Sequence, residues 1–569
     1  MKIHIALLTL LAGLVAPLAA RAQGSAPPRF QVELNAVDSS RLPALHSFTA
    51  GRGSDGKWLL VGGRTNGLHL FVSSSQGGTV APPNAFPPTN ANQMLWVIDP
   101  ATGQSWSAPV TSLPPSISDA LSANNAQSVE ADGNLYVLGG YGFSTQSQSM
   151  ITFPTLTAIA LDPAIAAIVA GQPFGSYVQQ ISTYYDCVTY GANAYNQCFN
   201  PYNACPTTPP CPCATGPGFQ ECLQKGMAQC LTAQQQAIAQ CNQLVRTGQV
   251  SGLPTNSAGT YTKVTGGGLE RMGDTYYLVF GQDFEGMYSL NEGDYGKWPV
   301  NQIYSESVRA LSITPKPLAA AVLQQVLQDP NDPARQYHRR DLNLVPGLDT
   351  DGKTPFVQAL GGVFVPGQDA AYQEPILISG SAPNLSVSLE TYAQRMSQYE
   401  CAVLPLFDRS SGSLTDVLFG GISLYYVDEK TGKLKVDSGL PFISAISALT
   451  RSASGWSEYY RVKPMVLNGK PARLGADAKF LRNPAVAAAP NGVIYLDAFS
   501  QKTLVGWMFG GILADSANPG GSNTGTVASS QLFEVWIDPA PAPPDYWAST
   551  GAAPAVVITP NNDTAKKPQ

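Results

Sequence analysis

The sequence is poor in charged residues. They make up 13% of the 569 residues, about half of the roughly 25% typical of globular proteins. The net charge is −6, and a nucleic-acid partner is not expected, because phosphate neutralisation requires clustered Lys and Arg. Apolar residues (44%) and aromatic residues (9%) are sufficient for a buried core, which excludes a chain that is disordered throughout.

Long apolar runs are scarce as well. Residues 1–22 have the pattern of a secretory signal peptide, with Lys2, an apolar run from Ile5 to Val15 and a small-residue cleavage site at Ala20-Arg21-Ala22. An uncleaved anchor is the alternative, but this run is shorter than the roughly 20 residues of a membrane span. We expect no later span, and an exported, soluble protein in the periplasm or outside the cell.

Cysteine is concentrated in one window, residues 187–249, which we treat as an insert. An even number of cysteines in an exported chain indicates disulfides, whereas the CxxC pairs and nearby His of structural zinc sites are missing. We predict disulfides of undetermined pairing, no metal, and a helical part from Phe219 to Val245. The ninth cysteine, Cys401, is predicted to be buried and not a nucleophile. The cysteines of the window are Cys187, Cys198, Cys205, Cys211, Cys213, Cys222, Cys230 and Cys241.

An apolar strand that ends in glycine recurs six times. The one long interval between repeats contains the cysteine-rich window, and without it the spacing is even. A tight turn rich in Gly, Asn, Asp or Ser precedes each of these strands. A third strand follows, and Met94–Trp106 adds a fourth. Six small antiparallel sheets are therefore predicted, and packing around an axis would protect their edges. The first glycines are Gly62, Gly139, Gly281, Gly361, Gly420 and Gly510.

These features resemble the kelch, or galactose-oxidase-like, β-propeller family. The resemblance rests on the Gly-Gly doublets and on the Asp-Pro-x-Thr-Gly-x-x-Trp pattern from Asp99 to Trp106, although Gly281 is followed by Gln282 rather than by a second glycine. It implies an all-β, six-bladed propeller over residues 30–540, and a β-sandwich is the alternative. We expect residues 30–37 to complete the last blade and residues 541–569 to form a flexible tail.

In such a propeller the long loops after the glycines share one face, where binding usually resides. We expect the insert to form a lid or wall there. Polar residues entering the first strands are candidates for a ligand-binding mouth, because an Arg pair can grip an anion with planar geometry. Each of them could equally hold neighbouring sheets together. The candidates are His46, Asn125, Lys263, Arg339, Arg340, Asp341, Glu400 and Asn491.

Signatures of catalysis are sparse, and no cofactor is expected. A copper radical oxidase would need two Tyr and two His ligands, and Tyr337-His338 is the one matching pair. We therefore expect a non-catalytic binding or scaffold module for a protein or carbohydrate ligand. The alternative resembles the six-bladed sialic acid mutarotases, enzymes acting on an anionic sugar, with Arg339, Arg340 and Glu400 at the mouth. A carboxylate pair for glycosidic chemistry, Asp341 with Glu400, and a surface protein tethered by its tail are further alternatives.

Overall fold

The computed structural model describes residues 26–69, 86–182, 192–198, 219–246, 263–286, 301–366, 370–519 and 525–551. These residues are mostly in β-strands, which confirms the all-β prediction. The predicted signal peptide, residues 1–22, lies outside the described residues. Within the described part, every helix is too short or too polar to cross a membrane.

Six sheets follow one another along the chain, and the four main strands of each are antiparallel and pair in sequence order, except that the fourth strand of sheet 6 comes from the N-terminus. Sheet 1 contains Thr49–Arg52, Trp58–Val61, Met94–Asp99 and Gln104–Pro109. Sheet 2 contains Gln127–Ala131, Asn134–Leu138, Thr155–Ala160 and Val178–Ser182. Sheet 3 contains Gly268–Met272, Thr275–Val279, Ser307–Pro315 and Leu318–Leu327.

The other three sheets repeat this order. Sheet 4 contains Asn343–Leu348, Pro355–Leu360, Ile376–Ser379 and Ser386–Leu389. Sheet 5 contains Ala402–Asp408, Ser413–Phe419, Ile446–Ser452 and Gly455–Arg461, with the short strands Ile494–Tyr495 and Trp547–Ser549 at its two edges. Sheet 6 contains Lys479–Arg482, Thr503–Phe509, Leu532–Asp538 and Gln31–Val37.

Shorter elements occupy the connections. The helices are Pro115–Leu121, Leu161–Val169, residues 192–198 and Phe219–Arg246, with 3-10 turns at Pro88–Asn90, Val110–Ser112, Gly175–Tyr177 and Leu496–Ala498. The small hairpins and ribbons are Tyr141–Ser144 with Ser149–Thr152, Gln282–Glu285 with Asn301–Tyr304, Tyr425–Val427 with Leu434–Val436, Val466–Leu467 with Lys470–Pro471, and Arg473–Ala476 with Ile512–Ala514 and Thr526–Ala528.

The expected pairing of the chain ends in sheet 6 is present. Gln31–Val37 lies antiparallel to Leu532–Asp538, from Gln31 opposite Asp538 to Val37 opposite Leu532. The N-terminal strand therefore covers an edge that would otherwise expose unpaired backbone groups.

A repeated backbone hydrogen bond joins each of five sheets to the following one. We call each glycine-ended repeat with its sheet a unit and number the units 1 to 6. In units 1, 2, 5 and 6, the backbone amide of the second glycine of the pair donates to a carbonyl just ahead of the first strand of the following sheet. In unit 3, which has a single glycine, Gly281 is the donor. Sheets 4 and 5 are joined instead through the Gln358 amide, which donates to Asp416 at 2.5 Å. The backbone bonds are Gly63 to Ala123 (2.9 Å), Gly140 to Val264 (2.9 Å), Gly281 to Arg339 (2.9 Å), Gly421 to Leu474 (3.2 Å) and Gly511 to Leu45 (2.9 Å).

Sheet 6 also packs directly against sheet 1. Trp507, Phe509 and Leu532 of sheet 6 share a buried apolar cluster with Trp58 and Leu60 of sheet 1. First strands of successive sheets contact each other from sheet 1 to sheet 6. Apolar packing thus continues from the last sheet back to the first.

The tail prediction was wrong for residues 541–551. Trp547–Ser549 pairs with Gly455–Arg461, and the Trp547 indole N–H donates to the Phe30 carbonyl at 3.0 Å. The Tyr546 hydroxyl donates to the Val32 carbonyl at 2.6 Å. Two aromatic side chains in the Pro-rich segment anchor it beside the N-terminal strand. Residues 552–569 lie outside the described residues.

The cysteine-rich insert is partly described. Its helix Phe219–Arg246 confirms the helical prediction, and a disulfide joins Cys198 to Cys230, with Cα atoms 5.5 Å apart. Cys241 is also disulfide-bonded. The side chains of the other predicted partners, Cys187, Cys205, Cys211, Cys213 and Cys222, lie outside the described residues.

The helix contacts the outer strand of sheet 3, Leu318–Leu327, which is a ten-residue edge strand. An edge of this length leaves backbone groups to be covered. No described residue of the insert lines the cavity described below, so the lid expectation is not met by the part of the insert that is described.

The close approach of the glycines generates a stability prediction. Gly420 has φ 60°, and a Cβ there would lie 1.7 Å from the Leu474 carbonyl oxygen, whereas Gly432 has φ 66° and open space around it. We expect Gly420→Ala to lower the free energy of unfolding in urea by about 3 kcal/mol or more. The added methyl group would collide with the carbonyl oxygen, and this overpacking adds to the cost of a left-handed backbone at a residue with a side chain. Gly432→Ala, the control, should cost about 1–2 kcal/mol. Equal costs would show that this contact between sheets is unimportant.

Candidate functional site

The site is built from an equivalent position in all six units. In each unit, a residue just ahead of the first strand forms an antiparallel backbone β-bridge with the residue that follows the glycines. The pairs are His46 with Arg64, Asn124 with Tyr141, Thr265 with Gln282, Arg340 with Val363, Tyr399 with Ile422, and Ala476 with Ile512.

The next residue of each unit has a left-handed backbone, and we call these six the left-handed residues. Only one of them is glycine, and left-handed residues with side chains are uncommon and concentrate at functional sites. Backbone N–H groups link them in sequence: Asn125 donates to Ser47 at 3.1 Å, Gly266 to Asn125 at 3.1 Å, and Asp341 to Gly266 at 2.7 Å. The left-handed residues are Ser47 (φ 53°), Asn125 (50°), Gly266 (66°), Asp341 (55°), Glu400 (46°) and Asp477 (58°).

A cavity of about 490 Å³ lies against all six left-handed residues, which together with His46 form its floor. Its wall comes from the segments that follow the glycines, so every unit contributes to both. Apolar walls with a few convergent polar groups are typical of ligand sites. The wall includes Leu68, Tyr141, Phe284, Phe364, Leu440 and Ile512.

His46, Ser47 and Asp477 form a buried hydrogen-bonded group in the floor. The Ser47 hydroxyl donates to Asp477 Oδ2 at 2.6 Å. His46 Nδ1 lies 3.1 Å from the same carboxylate oxygen and 2.8 Å from Ser47 Oγ. The other ring nitrogen, Nε2, is buried and has no hydrogen-bond partner among the described residues.

The three carboxyl groups of the floor have different pKa values. Burial and the negative charges of Asp477 and Asp341 raise the pKa of Glu400 well above its ordinary value. Burial raises the pKa of Asp341 to about 6, against the opposing effect of Arg340. Burial acts on Asp477 as well, but hydrogen bonds from His46, Glu400 and Ser47 outweigh it and lower the pKa. Glu400 is therefore the member that keeps its proton to the highest pH, and in its protonated form it donates to the Asp477 carboxylate.

Arg340 is the cation of this site. Its Nη1 donates to Gln282 Oε1 at 2.8 Å and to the Tyr304 hydroxyl at 3.0 Å. Its Nε lies 3.4 Å from Asp341 Oδ2, and the Phe364 ring covers the guanidinium at 4.1 Å. These contacts fix the position of the guanidinium through Nη1 and Nε.

Five of the eight candidate residues come together as the sequence predicted. His46, Asn125, Arg340, Asp341 and Glu400 all line the cavity.

Arg339 does not line the cavity. It is 0% exposed, donates to the carbonyls of Gln336 (2.7 Å) and Gly361 (3.1 Å), and lies over the Tyr372 ring at 4.5 Å. Its neighbour Arg340 faces the opposite way. The side chain of Arg339 therefore stabilises the segment that leads into sheet 4 and does not reach the cavity.

Lys263 and Asn491 are not in the cavity either. Lys263 is buried in an ion pair with Glu285 and lies 3.4 Å from Asp283, so its charge is compensated. Asn491 donates to the Gly347 carbonyl at 2.9 Å and lines a second cavity of about 870 Å³. The second cavity shares four floor residues with the first: Ser47, Asn125, Glu400 and Asp477.

The sequence analysis missed Ser47 and Asp477. In unit 6 the first two strands are not joined by the tight turn that was expected ahead of each glycine-ended strand. The first strand is Lys479–Arg482, and residues 483–502 separate it from Thr503–Phe509. The signal that could have found Asp477 is its position directly ahead of a strand, as with Asp341 and Glu400.

Cys401 is free and buried, as predicted. Burial raises the pKa of its thiol to about 12, and Cys401 does not line the first cavity. The thiol is therefore protonated at neutral pH and is a poor nucleophile.

No protein-family model matches the chain, and no curated protein matches it. Its function is therefore inferred from the geometry alone.

The raised pKa of Glu400 generates a pH prediction. A carboxyl group whose pKa is raised by folding destabilises the protein increasingly as pH rises above its unfolded pKa, about 4.3. Glu400→Gln retains a hydrogen-bond donor but cannot ionise. We expect its free energy of unfolding, relative to wild type, to rise between pH 5 and 8.5, by at most about 1.4 kcal/mol per pH unit.

Urea titrations at several pH values measure this difference. The control is Glu130→Gln, a change at an exposed glutamate, whose stability relative to wild type should vary less with pH. A Glu400→Gln curve parallel to wild type would show that Glu400 ionises normally.

Proposed function

We propose that the chain is a six-bladed β-propeller of the kelch type. The repeated glycine-to-carbonyl hydrogen bonds support this arrangement, because the last of them, Gly511 to Leu45, leads from sheet 6 back to sheet 1. The apolar cluster shared by Trp507 and Trp58 supports it as well. A β-sandwich would not give each sheet the same contact with its successor.

The proposed function is binding of a small ligand in the central cavity, without catalysis. The observation that carries this proposal is the cavity itself, which combines a wall from the segments after the glycines with a floor of polar left-handed residues. Strained residues with side chains are retained where the surrounding structure and a function require them. A carbohydrate or another small organic molecule would fit into such a cavity better than the flat surface of a partner protein would.

The alternative function, an enzyme acting on an anionic sugar, has partial support. Arg340 and Glu400 line the cavity as that resemblance implied, but Arg339 is buried elsewhere. Asp341 and Asp477 also place two carboxylates in the floor. An anionic sugar would therefore meet these carboxylates beside one guanidinium that Gln282, Tyr304 and Asp341 already contact, so we favour binding of a different ligand.

Export remains part of the proposal. A disulfide between Cys198 and Cys230 is favoured in an oxidising compartment, which supports a periplasmic or extracellular location.

A wall variant tests the binding proposal. Carbohydrates and small organic molecules would be screened by ligand-observed NMR with the full chain, and affinities measured by calorimetry. We expect Phe364→Ala to weaken binding about tenfold, or ~1.4 kcal/mol, because a large apolar contact is lost. The control is Leu389→Ala. Leu389 lies in the outer strand of sheet 4, whose second and third strands are connected by the segment that contains Phe364, and it is 49% exposed. Binding that both variants leave unchanged would place the ligand outside this cavity.

Sialic acid separates the two functions. We expect no measurable binding and no acceleration of anomeric exchange by the wild-type protein, because the floor repels a carboxylate. NMR exchange spectroscopy measures both. Exchange that is accelerated by wild type and lost in Arg340→Gln would establish the enzyme instead.

A further inference from the structure

We infer that the cavity selects a ligand with a protonated amine on an apolar body, the amine lying against Asp341 and its neighbours in the floor. This inference rests on the proposed ligand-binding function and names the chemical class of the ligand. Three observations lead to this inference: some hydrogen-bond acceptors of the floor have no partner among the described residues, the floor contains carboxylates, and the wall is apolar.

The polar atoms without partners are hydrogen-bond acceptors. Asn125 Oδ1 is buried and has no partner among the described residues. Asp341 has one close cation, Arg340 Nε at 3.4 Å, which is a long contact for a carboxylate. The side chain of Asp341 is 20% exposed, so a ligand in the cavity can reach it.

His46 adds a third acceptor. Because Ser47 uses its proton on Asp477, His46 Nδ1 must donate toward these oxygens, and in the neutral tautomer Nε2 then carries a lone pair. This side chain is 4% exposed and lines the cavity. A buried acceptor without a partner is costly, and an ammonium group, with three donors and no acceptor, complements it.

The charge of the floor favours a cation. Burial raises the pKa of Glu400 the most, so among the three carboxyl groups it keeps its proton to the highest pH. Asp341, with a pKa of about 6, and Asp477, with a lowered pKa, are ionised near neutral pH. Arg340, the cation beside them, is held by Gln282, Tyr304 and Asp341. Nearby negative charge stabilises an ammonium group.

The cation is organic rather than a metal ion. Among the described residues, no group of three or more His, Cys, Asp or Glu is placed to hold a metal. The wall, with Phe284, Phe364 and Leu440, suits an aromatic or aliphatic body. Gly266 leaves room beside Asp341, since a Cβ there would lie 2.6 Å from Asp341 Oδ1.

The test compares head groups on identical bodies. Phenylethyl, indolylethyl and hexyl compounds would each be used as the amine, the alcohol and the carboxylate with the full wild-type chain. Calorimetry at pH 7.5 measures their affinities. We expect at least one amine to bind, at least tenfold more tightly than its alcohol and more tightly still than its carboxylate. An alcohol or carboxylate that binds as tightly as its amine would overturn the inference while leaving ligand binding intact.

Binding by none of the nine compounds would also overturn the inference. It would not decide the proposed function, which the broader screen with Phe364→Ala tests separately.

A variant then locates the amine. Asp341→Asn should weaken amine binding at least tenfold and leave alcohol binding within about twofold of wild type. Asp274→Asn, at a fully exposed turn carboxylate, is the matched control and should change neither. Equal weakening of amine and alcohol by Asp341→Asn would assign Asp341 a structural role and overturn its place in the site. The wild-type comparison decides the ligand class even if this variant fails to fold.

Discussion

The contact between successive sheets is the constraint on which the rest of the structure depends. A glycine amide of one sheet must reach a carbonyl ahead of the next, and a Cβ at Gly139 or Gly420 would lie within 2 Å of that oxygen. The chain then turns into the next first strand through a left-handed residue, at a cost of roughly 1–2 kcal/mol where it carries a side chain. Close packing and strain therefore occur together, and the strained residues are those that form the floor of the cavity.

The repeats were predictable because their requirements are local. Glycine at a close approach and Asp-Gly or Asn at a turn follow from backbone conformation alone, so the sheets could be located from the sequence. Unit 6 was misassigned because residues 483–502 part its first two strands, and one of its connecting segments, Ile494–Tyr495, joins sheet 5 instead. A connection of this length hides which strand is the first of the unit, so the position of Asp477 ahead of Lys479–Arg482 was not recognised.

The residues of the site were harder to predict than the strands. Arg339 and Arg340 are adjacent and chemically identical, yet the first is fully buried against Gln336 and Tyr372, and the second lines the cavity. Shifting a register by one residue exchanges these roles, and the sequence does not fix the register to one residue. Lys263 was a candidate because its compensating carboxylates, Asp283 and Glu285, lie about 20 residues further along the chain, after the first two strands of sheet 3.

Four residues, Ser47, Asn125, Glu400 and Asp477, line both cavities. Two of them, Ser47 and Asp477, form the buried hydrogen-bonded group with His46, which connects the residues ahead of sheet 1 with those ahead of sheet 6. Removing one partner from such a buried group leaves the others unsatisfied, which costs more than the net value of a single hydrogen bond. A substitution at Ser47 or Asp477 therefore affects the lining of both cavities and the contact between the first and last units at the same time.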